Sequence, residues 1–334
     1  MSTPSPALFL NTVNAYQRSA AIKAAVELDI FSVISQGIES SQSLAQKCQT
    51  SERGMRILCD YLVIMGFMTK ETEGYRLTPD SAMFLARQSK FYLGDTVEFL
   101  LSPMITSSFN DLTSAVRTGG TVVSSEGTLS PQNPVWVQFA KAMAPMMANP
   151  AQLIAQLVSQ NNIKPTKVLD ISASHGLFGI AIAQHNPDAE IFGVDWASVL
   201  EVAQENARIQ GVGSRYHTIA GSAFEVDYGN NYDLVLLPNF LHHFDVATCE
   251  QLLRKIKNAL VTDGRVIVFD FIPNTDRITP PDAAAFSLVM LATTPSGDAY
   301  TFGEYESMFS NAGFSRCQLH PLPPTQQQVI VANK

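Results

Sequence analysis

Apolar and polar positions along the 334 residues fall into three regimes. In the first, Ala20 to Ile34 (AAIKAAVELDIFSVI) places apolar side chains at helical spacing, and Ser43 to Lys47 starts a short helix. Ser51 to Met65 (SERGMRILCDYLVIM) continues a helix-turn-helix pattern that Gly66 stops. Phe67 to Leu77 (FMTKETEGYRL) has two short apolar ends around a polar turn with Gly74, the pattern of a two-stranded wing. Residues 1–100 therefore read as a winged helix. In the second regime, residues 101–160, helical segments flank a Gly/Ser-rich break at Thr118 to Gly127 and end in a Met-rich helix (VWVQFAKAMAPMMANPAQLIAQLV).

In the third regime, residues 161–334, strand and helix signals alternate. Short apolar runs occur at Lys167 to Ile171, Glu190 to Val194, Tyr216 to Ala220, Asp233 to Leu237 and Gly264 to Phe271, each separated by a helix-sized segment. Such alternation predicts an α/β domain whose parallel strands are covered on both faces. Arg316 to Leu322 and Val329 to Ala332 differ, because the link between them is shorter than the dozen residues a parallel crossover needs. The last strand is expected to run antiparallel, in a hairpin.

Composition narrows the function classes. With 46% apolar and 16% charged residues the chain is globular, and its net charge of −8 with no basic run argues against a nucleic-acid partner. The helix that would read DNA carries Arg53 and Arg56 but is otherwise almost wholly apolar, which suits packing within the subunit or across a dimer. Cys48, Cys59, Cys249 and Cys317 have no metal-like spacing, so no metal site is expected and the thiols fit a reduced, cytoplasmic protein. No apolar stretch reaches the roughly 18 residues of a membrane span, and residues 1–6 do not resemble a signal peptide.

The candidate chemistry begins at Lys167 to Gly176 (KVLDISASHG), a strand, a turn of small residues and a helix start, the arrangement that delivers a nucleotide-like ligand to the carboxyl edge of a sheet. Ser172 and Ser174 occupy positions where glycine would supply positive φ and close backbone approach. Each serine must tolerate that angle or add its hydroxyl to the contacts. Asp195 ends the second strand at the distance where a carboxylate accepts from ribose hydroxyls, though it could also cap the helix near Ser198. In the Met-rich helix, Phe139, Met143, Met146 and Met147 either fill core or form an adaptable apolar wall for a flat substrate.

Leu241 to Leu253 (LHHFDVATCEQLL) is similar to the L-H-D-W-S-D-x-x-C-x-x-L-L segment of small-molecule O-methyltransferases of the caffeic acid and acetylserotonin type. Gly264 to Pro273 (GRVIVFDFIP), Ala312-Gly313-Phe314 and the terminal hairpin extend the resemblance over nearly the whole chain. It implies a Rossmann-like methyltransferase sheet, an N-terminal winged-helix dimerisation domain, a homodimer, S-adenosylmethionine as cofactor and a small, aromatic hydroxylated substrate. It assigns Asp170, Ser172, Ser174 and Gly176 to the methionine end of the cofactor and Asp195 to the ribose. Gly221, Ser222, Ala223 and Phe224 correspond to a G-D-M-F segment whose Asp accepts from the adenine amine, and Asn239 is a further cofactor candidate. Phe139, Met143, Met290 and Thr294 match positions lining the substrate pocket.

His242 aligns with the family's general base. It follows the fourth strand, at the sheet edge where ligands bind, and an imidazole titrates near the pH at which a phenol of pKa about 10 must lose its proton. Asp270 closes the neighbouring strand and could fix the imidazole tautomer, where the family uses Glu. A second family glutamate corresponds to Ala299, within Gly297 to Thr301 (GDAYT). Two alternatives share parts of the pattern: a cofactor-binding relative performing C- or N-methylation or hydroxylation, and a non-enzymatic winged-helix regulator.

Overall fold

Serine and threonine residues at helix starts fix the first unit. The computed structural model describes residues 4–71, 74–124, 127–129, 135–160 and 164–334. The chain divides into two compact units, Met1–Ser102 and Pro103–Lys334, so the helical segments before the sheet belong to the sheet's unit. In the first unit, Ser40 caps the helix Ser41–Lys47 and Ser51 caps Glu52–Ile64, each side chain accepting from a backbone N–H three residues on. The pattern Ala20 to Ile34 is broken in two, Tyr16–Glu27 and Ile30–Ser35, because Asp29 adopts a left-handed φ of 54°. Strands β1 (Met68–Glu71) and β2 (Gly74–Leu77) pair antiparallel as the wing, and the turn expected between them, residues 72–73, lies outside the described residues. Ile30, Phe31, Leu44, Met55, Leu62 and Tyr75 close this core.

Met55, Cys59 and Leu62 of the helix considered for DNA reading are buried, and Arg56 pairs with Asp60 at 3.0 Å. That face packs on protein.

The second unit is built on strands β3 (Lys167–Ile171), β4 (Glu190–Asp195), β5 (Tyr216–Ala220), β6 (Tyr232–Pro238), β7 (Leu260–Asp270), β8 (Arg316–Pro321) and β9 (Gln328–Asn333). Their order is β5-β4-β3-β6-β7-β9-β8. Strands β3 to β7 are parallel, while β9 lies antiparallel between β7 and β8, closing the sheet with the expected hairpin. Side chains alternate between faces as a pleated strand requires. Val168, Leu234, Leu236, Ile267, Phe269, Val329 and Val331 join one core, and Leu169, Ile171, Val235, Leu237, Val266, Val268 and Ile330 the other.

Helices Leu177–His185 and Ala197–Ile209 contribute to the first core, and Val246–Ala259 and Phe302–Asn311 to the second. The 26-residue helix Val135–Gln160 buries Ile154, Ala155 and Val158 in the first core and carries Phe139 and Met143 on an earlier turn. Between β3 and β6 successive connections leave in opposite directions, the switch point at which open α/β sheets bind ligands. Part of the Gly/Ser-rich break, residues 125–126, lies outside the described residues. Among the described residues no helix is long and apolar enough to cross a membrane.

Candidate functional site

At the carboxyl ends of β3 to β6 a cavity of about 360 Å³ opens. The turn after β3 holds Ser172 at φ 56°, Ser174 at φ 51° and Gly176 at φ 74°. Both serines therefore take the glycine-like conformation their positions demand, at a cost of about 1 kcal/mol each. Gly176 is required for space as well, since a Cβ there would stand 2.9 Å from both Ala203 Cβ and Tyr216 Oη. The turn is held by Ala173 N–H donating to Val194 O at 3.1 Å and Ser174 N–H donating to Asp195 Oδ2 at 2.9 Å.

Asp195 does not cap the following helix, whose N-cap is Trp196. Its Oδ1 accepts from Trp196 N–H at 2.7 Å, and each carboxylate oxygen keeps a further lone pair for a ligand. Burial raises this carboxyl to about 6, partly offset by those two backbone donors.

The lining includes Ser172, Ser174, Asp195, Gly221, Ser222, Ala223, Phe224 and Asn239 of the sequence candidates, with Phe139 and Met147 of the Met-rich helix. Asp195 and Glu225 are its acids, and no Lys or Arg lines it among the described residues. Such a wall favours a cation and provides no charged partner for a pyrophosphate. His175 and His243 also line it, and burial lowers His175 to about 4 and takes His243 well below its usual range, the neighbouring His242 adding to the latter. Both imidazoles are thus neutral at pH 7, which spares a bound cation from repulsion.

Asp170 departs from the expectation. It points to the first core face of β3, is fully buried, and accepts from Gly179 N–H at 3.0 Å, so it steadies the helix after the turn and does not line the cavity. Gly176 likewise shapes the turn without lining the cavity. Met143, Met290 and Thr294 are buried outside this lining. The Thr294 hydroxyl donates to Met290 O at 2.7 Å and accepts from Gly297 N–H at 2.9 Å, so the turn occupies its polar atoms.

Behind the cavity, His242 and Asp270 are brought together. Phe240, held by a loop from β6, starts the short turn Leu241–His243, and Asp270 ends the adjacent β7. His242 Nδ1 lies 2.6 Å from Asp270 Oδ1, and both side chains are buried. Asp270 also accepts from Phe271 N–H at 2.8 Å and from Tyr305 Oη at 2.8 Å. A carboxylate that already accepts from Phe271 N–H and Tyr305 Oη faces Nδ1 as an acceptor, so His242 carries its proton on Nδ1 and presents Nε2 as an acceptor. The Phe286 ring stands edge-on 4.8 Å from the imidazole and stacks on Phe271 at 4.1 Å. Phe286 comes from the helix Pro281–Thr293, one turn before Met290, and Thr294 is that helix's C-cap in an extended conformation. Gly297 grips the turn, because a Cβ there would be 2.3 Å from His242 O.

Sequence reasoning missed Trp136, His175, Trp196, Phe240, His243 and Phe244 in the lining, and Phe286 and Tyr305 at the His242–Asp270 pair. The second histidine of the L-H-H-F run could have been found, since it adjoins the candidate base. Tyr305 could not, because it belongs to none of the motifs in the sequence and only the packing of its helix brings it to Asp270.

Comparison with known proteins identifies the family. Residues 135–315 match the O-methyltransferase domain and residues 10–87 the O-methyltransferase dimerisation domain. The chain is 24% identical over 313 residues to a 3-hydroxy-5-methyl-1-naphthoate 3-O-methyltransferase of Streptomyces sahachiroi, covering 93% of this chain and 90% of that one. A crystal structure of a candidate O-methyltransferase from Nostoc punctiforme superposes with a TM-score of 0.97 at 86% identity, over 99% of this chain and 100% of that one. Human N-acetylserotonin methyltransferase, solved with S-adenosylmethionine, has the same fold at a TM-score of 0.86 and 22% identity, over 100% of this chain and 99% of that one. With both domains in sequence order and the sheet that carries the site, the chain belongs to the O-methyltransferase family.

Proposed function

We propose that the protein transfers a methyl group from S-adenosylmethionine to a hydroxyl of a small aromatic metabolite, with His242 as general base. The observation that carries this reading is the buried 2.6 Å contact between His242 Nδ1 and Asp270 Oδ1, at the carboxyl edge beside a cavity with acids and no Lys or Arg in its described lining. Asp195 would accept from the ribose hydroxyls, and Ser172, Ser174 and Asn239 would face the amino-acid end. Ser222 and Phe224 would hold the adenine, Ser222 through a hydroxyl that accepts more weakly than a carboxylate. When bound, S-adenosylmethionine supplies a methyl group on a sulfonium.

The rest of the task falls to the chain. Asp270 holds His242 in one tautomer, Nε2 receives the hydroxyl proton of the acceptor, and the positive charge that forms on the imidazole is stabilised by the adjoining carboxylate. Phe139 on the cavity wall and Phe286 beside His242 would hold a flat ring and exclude water, so that the oxygen meets the methyl group in line. The homodimer would form through the N-terminal unit, which leaves Leu8, Phe9, Leu10, Val13 and Tyr16 exposed. All four cysteines are free thiols, which supports a cytoplasmic setting.

The test combines titration calorimetry with S-adenosylmethionine and mass analysis of products from a panel of hydroxynaphthoates. Stoichiometric binding and a gain of one methyl on oxygen are expected. Failure to bind the cofactor overturns the reading, and a methyl on carbon or nitrogen overturns its O-specificity.

A further inference from the structure

We propose that Tyr305 is a positioning residue for the base: its hydroxyl locks the Asp270 carboxylate and thereby sets the orientation of His242. The inference rests on the reading of His242 as the base. Asp270 is fully buried, and among the described residues its one ion-pair partner is His242. A buried carboxylate without enough donors is costly, and this one has two torsions about which it can turn. Phe271 N–H holds Oδ1 from the backbone at 2.8 Å, which leaves the plane of the carboxylate undetermined. Tyr305 Oη donates to the other oxygen, Oδ2, at 2.8 Å and fixes that plane, so the remaining lone pair of Oδ1 points at His242 Nδ1.

The surroundings offer little to replace it. The segment that leads into the Tyr305 helix places Ala299, fully buried and without a polar side chain, near its start. Tyr300 spends its hydroxyl on Phe244 O at 2.6 Å. The Cys249 thiol donates to Leu241 O at 3.2 Å. Tyr305 is itself held, because Thr301 and Glu304 form a reciprocal cap at the start of its helix and its ring packs edge-on against Tyr300 at 5.9 Å. The hydroxyl is therefore delivered from a rigid element, as a positioning group must be. Burial and the charge of Asp270 both hold the phenol in its protonated, donating form.

Tyr305→Phe deletes the hydroxyl and keeps the ring. With histidine labelled in nitrogen-15, the His242 Nδ1 proton is expected to exchange with water at least about tenfold faster, because a freed carboxylate no longer protects it. On the best hydroxynaphthoate, kcat is expected to fall about tenfold, the order for a lost charge-assisted hydrogen bond, with KM and the dissociation constant of S-adenosylmethionine within about twofold. Unchanged exchange and unchanged kcat overturn the proposal. A fall in kcat matched by equal losses in KM and cofactor affinity also overturns it, since that pattern marks general disorder. If Tyr305→Phe does not fold, the double variant Tyr305→Phe/Asp270→Asn, which leaves no ionised oxygen unpaired, is compared with Asp270→Asn. Equal kcat is then expected, and a further tenfold loss overturns the proposal. Full activity of His242→Ala would remove the base reading alone, while the exchange measurement still decides the role of Tyr305.

Discussion

The backbone N–H of Ser174 donates to the carboxylate of Asp195 at 2.9 Å, so the strained turn after β3 and the acid that ends β4 form one unit. Removing the carboxylate acts on both. Asp195→Ala is expected to weaken S-adenosylmethionine binding by about 1–3 kcal/mol through the lost acceptor, and to loosen the turn as well. Unchanged affinity by calorimetry would take Asp195 out of the site.

The same carboxyl gives cofactor binding a pH dependence. With its ionisation raised to about 6, Asp195 is mostly charged at pH 7.5 and mostly protonated at pH 5. Since the proposed ribose contact needs the charged acceptor, affinity should fall about tenfold between those values. An Asp195→Asn variant should show a flat profile over the same range. A flat profile in the wild type would contradict this account.

His175 makes stability pH-dependent in the acid range. Burial lowers it from 6.5 to about 4, so the unfolded chain takes up this proton before the folded one does. Its contribution is fully present above pH 6.5 and is lost as pH falls toward 4, by about 3 kcal/mol in all. The raised Asp195 works in the opposite sense over part of that window, because its burial cost is relieved as it is protonated. The difference between wild type and His175→Asn in urea unfolding isolates the histidine. The gap should change between pH 7 and pH 4 in favour of the variant, and a constant gap would exclude this role.

Loss of the proposed base should separate chemistry from binding. His242→Ala is expected to lower turnover on a phenolic substrate at least about 100-fold with cofactor affinity nearly intact. Asp270→Asn should cost less, since it disturbs only the orientation of the ring. Steady-state rates across substrates of differing acidity check this: an already ionised phenol should suffer less than a weakly acidic one.

Gly297 offers a test of placement without touching a reacting group. A Cβ there would meet His242 O at 2.3 Å, a backbone atom that cannot rotate away. Gly297→Ala should therefore shift the turn that carries His242 and reduce kcat about tenfold or more, with S-adenosylmethionine affinity within about twofold. Wild-type kcat in a folded Gly297→Ala protein would show that the turn adapts freely.

Much of the fold was legible in the sequence because its signals are local. Apolar runs of four to eight residues separated by helix-sized segments marked β3 to β7, and the short link after Leu322 forced a hairpin by chain length alone. That β9 inserts beside β7, with β8 outside it, was not legible, because strand order depends on contacts between distant segments. The positions of Ser172, Ser174 and Asp195 could be read from the strand-turn-helix pattern, since such a turn has few backbone solutions.

Only the tertiary structure decided what those residues face. Asp170 sits in the same motif, yet the two-residue period of β3 turns its carboxylate under the helix, away from the cavity. Thr294 matched a pocket position, yet its hydroxyl is consumed by a turn. The pairing of Asp270 with Tyr305, and the placement of Phe286 against His242, bring together residues from separate elements. Sequence determines which side chains can donate, accept or pack; which partner each finds is set by how sheet and helices close on one another, because a hydrogen bond forms only over about 3 Å while the chain between partners runs for tens of residues.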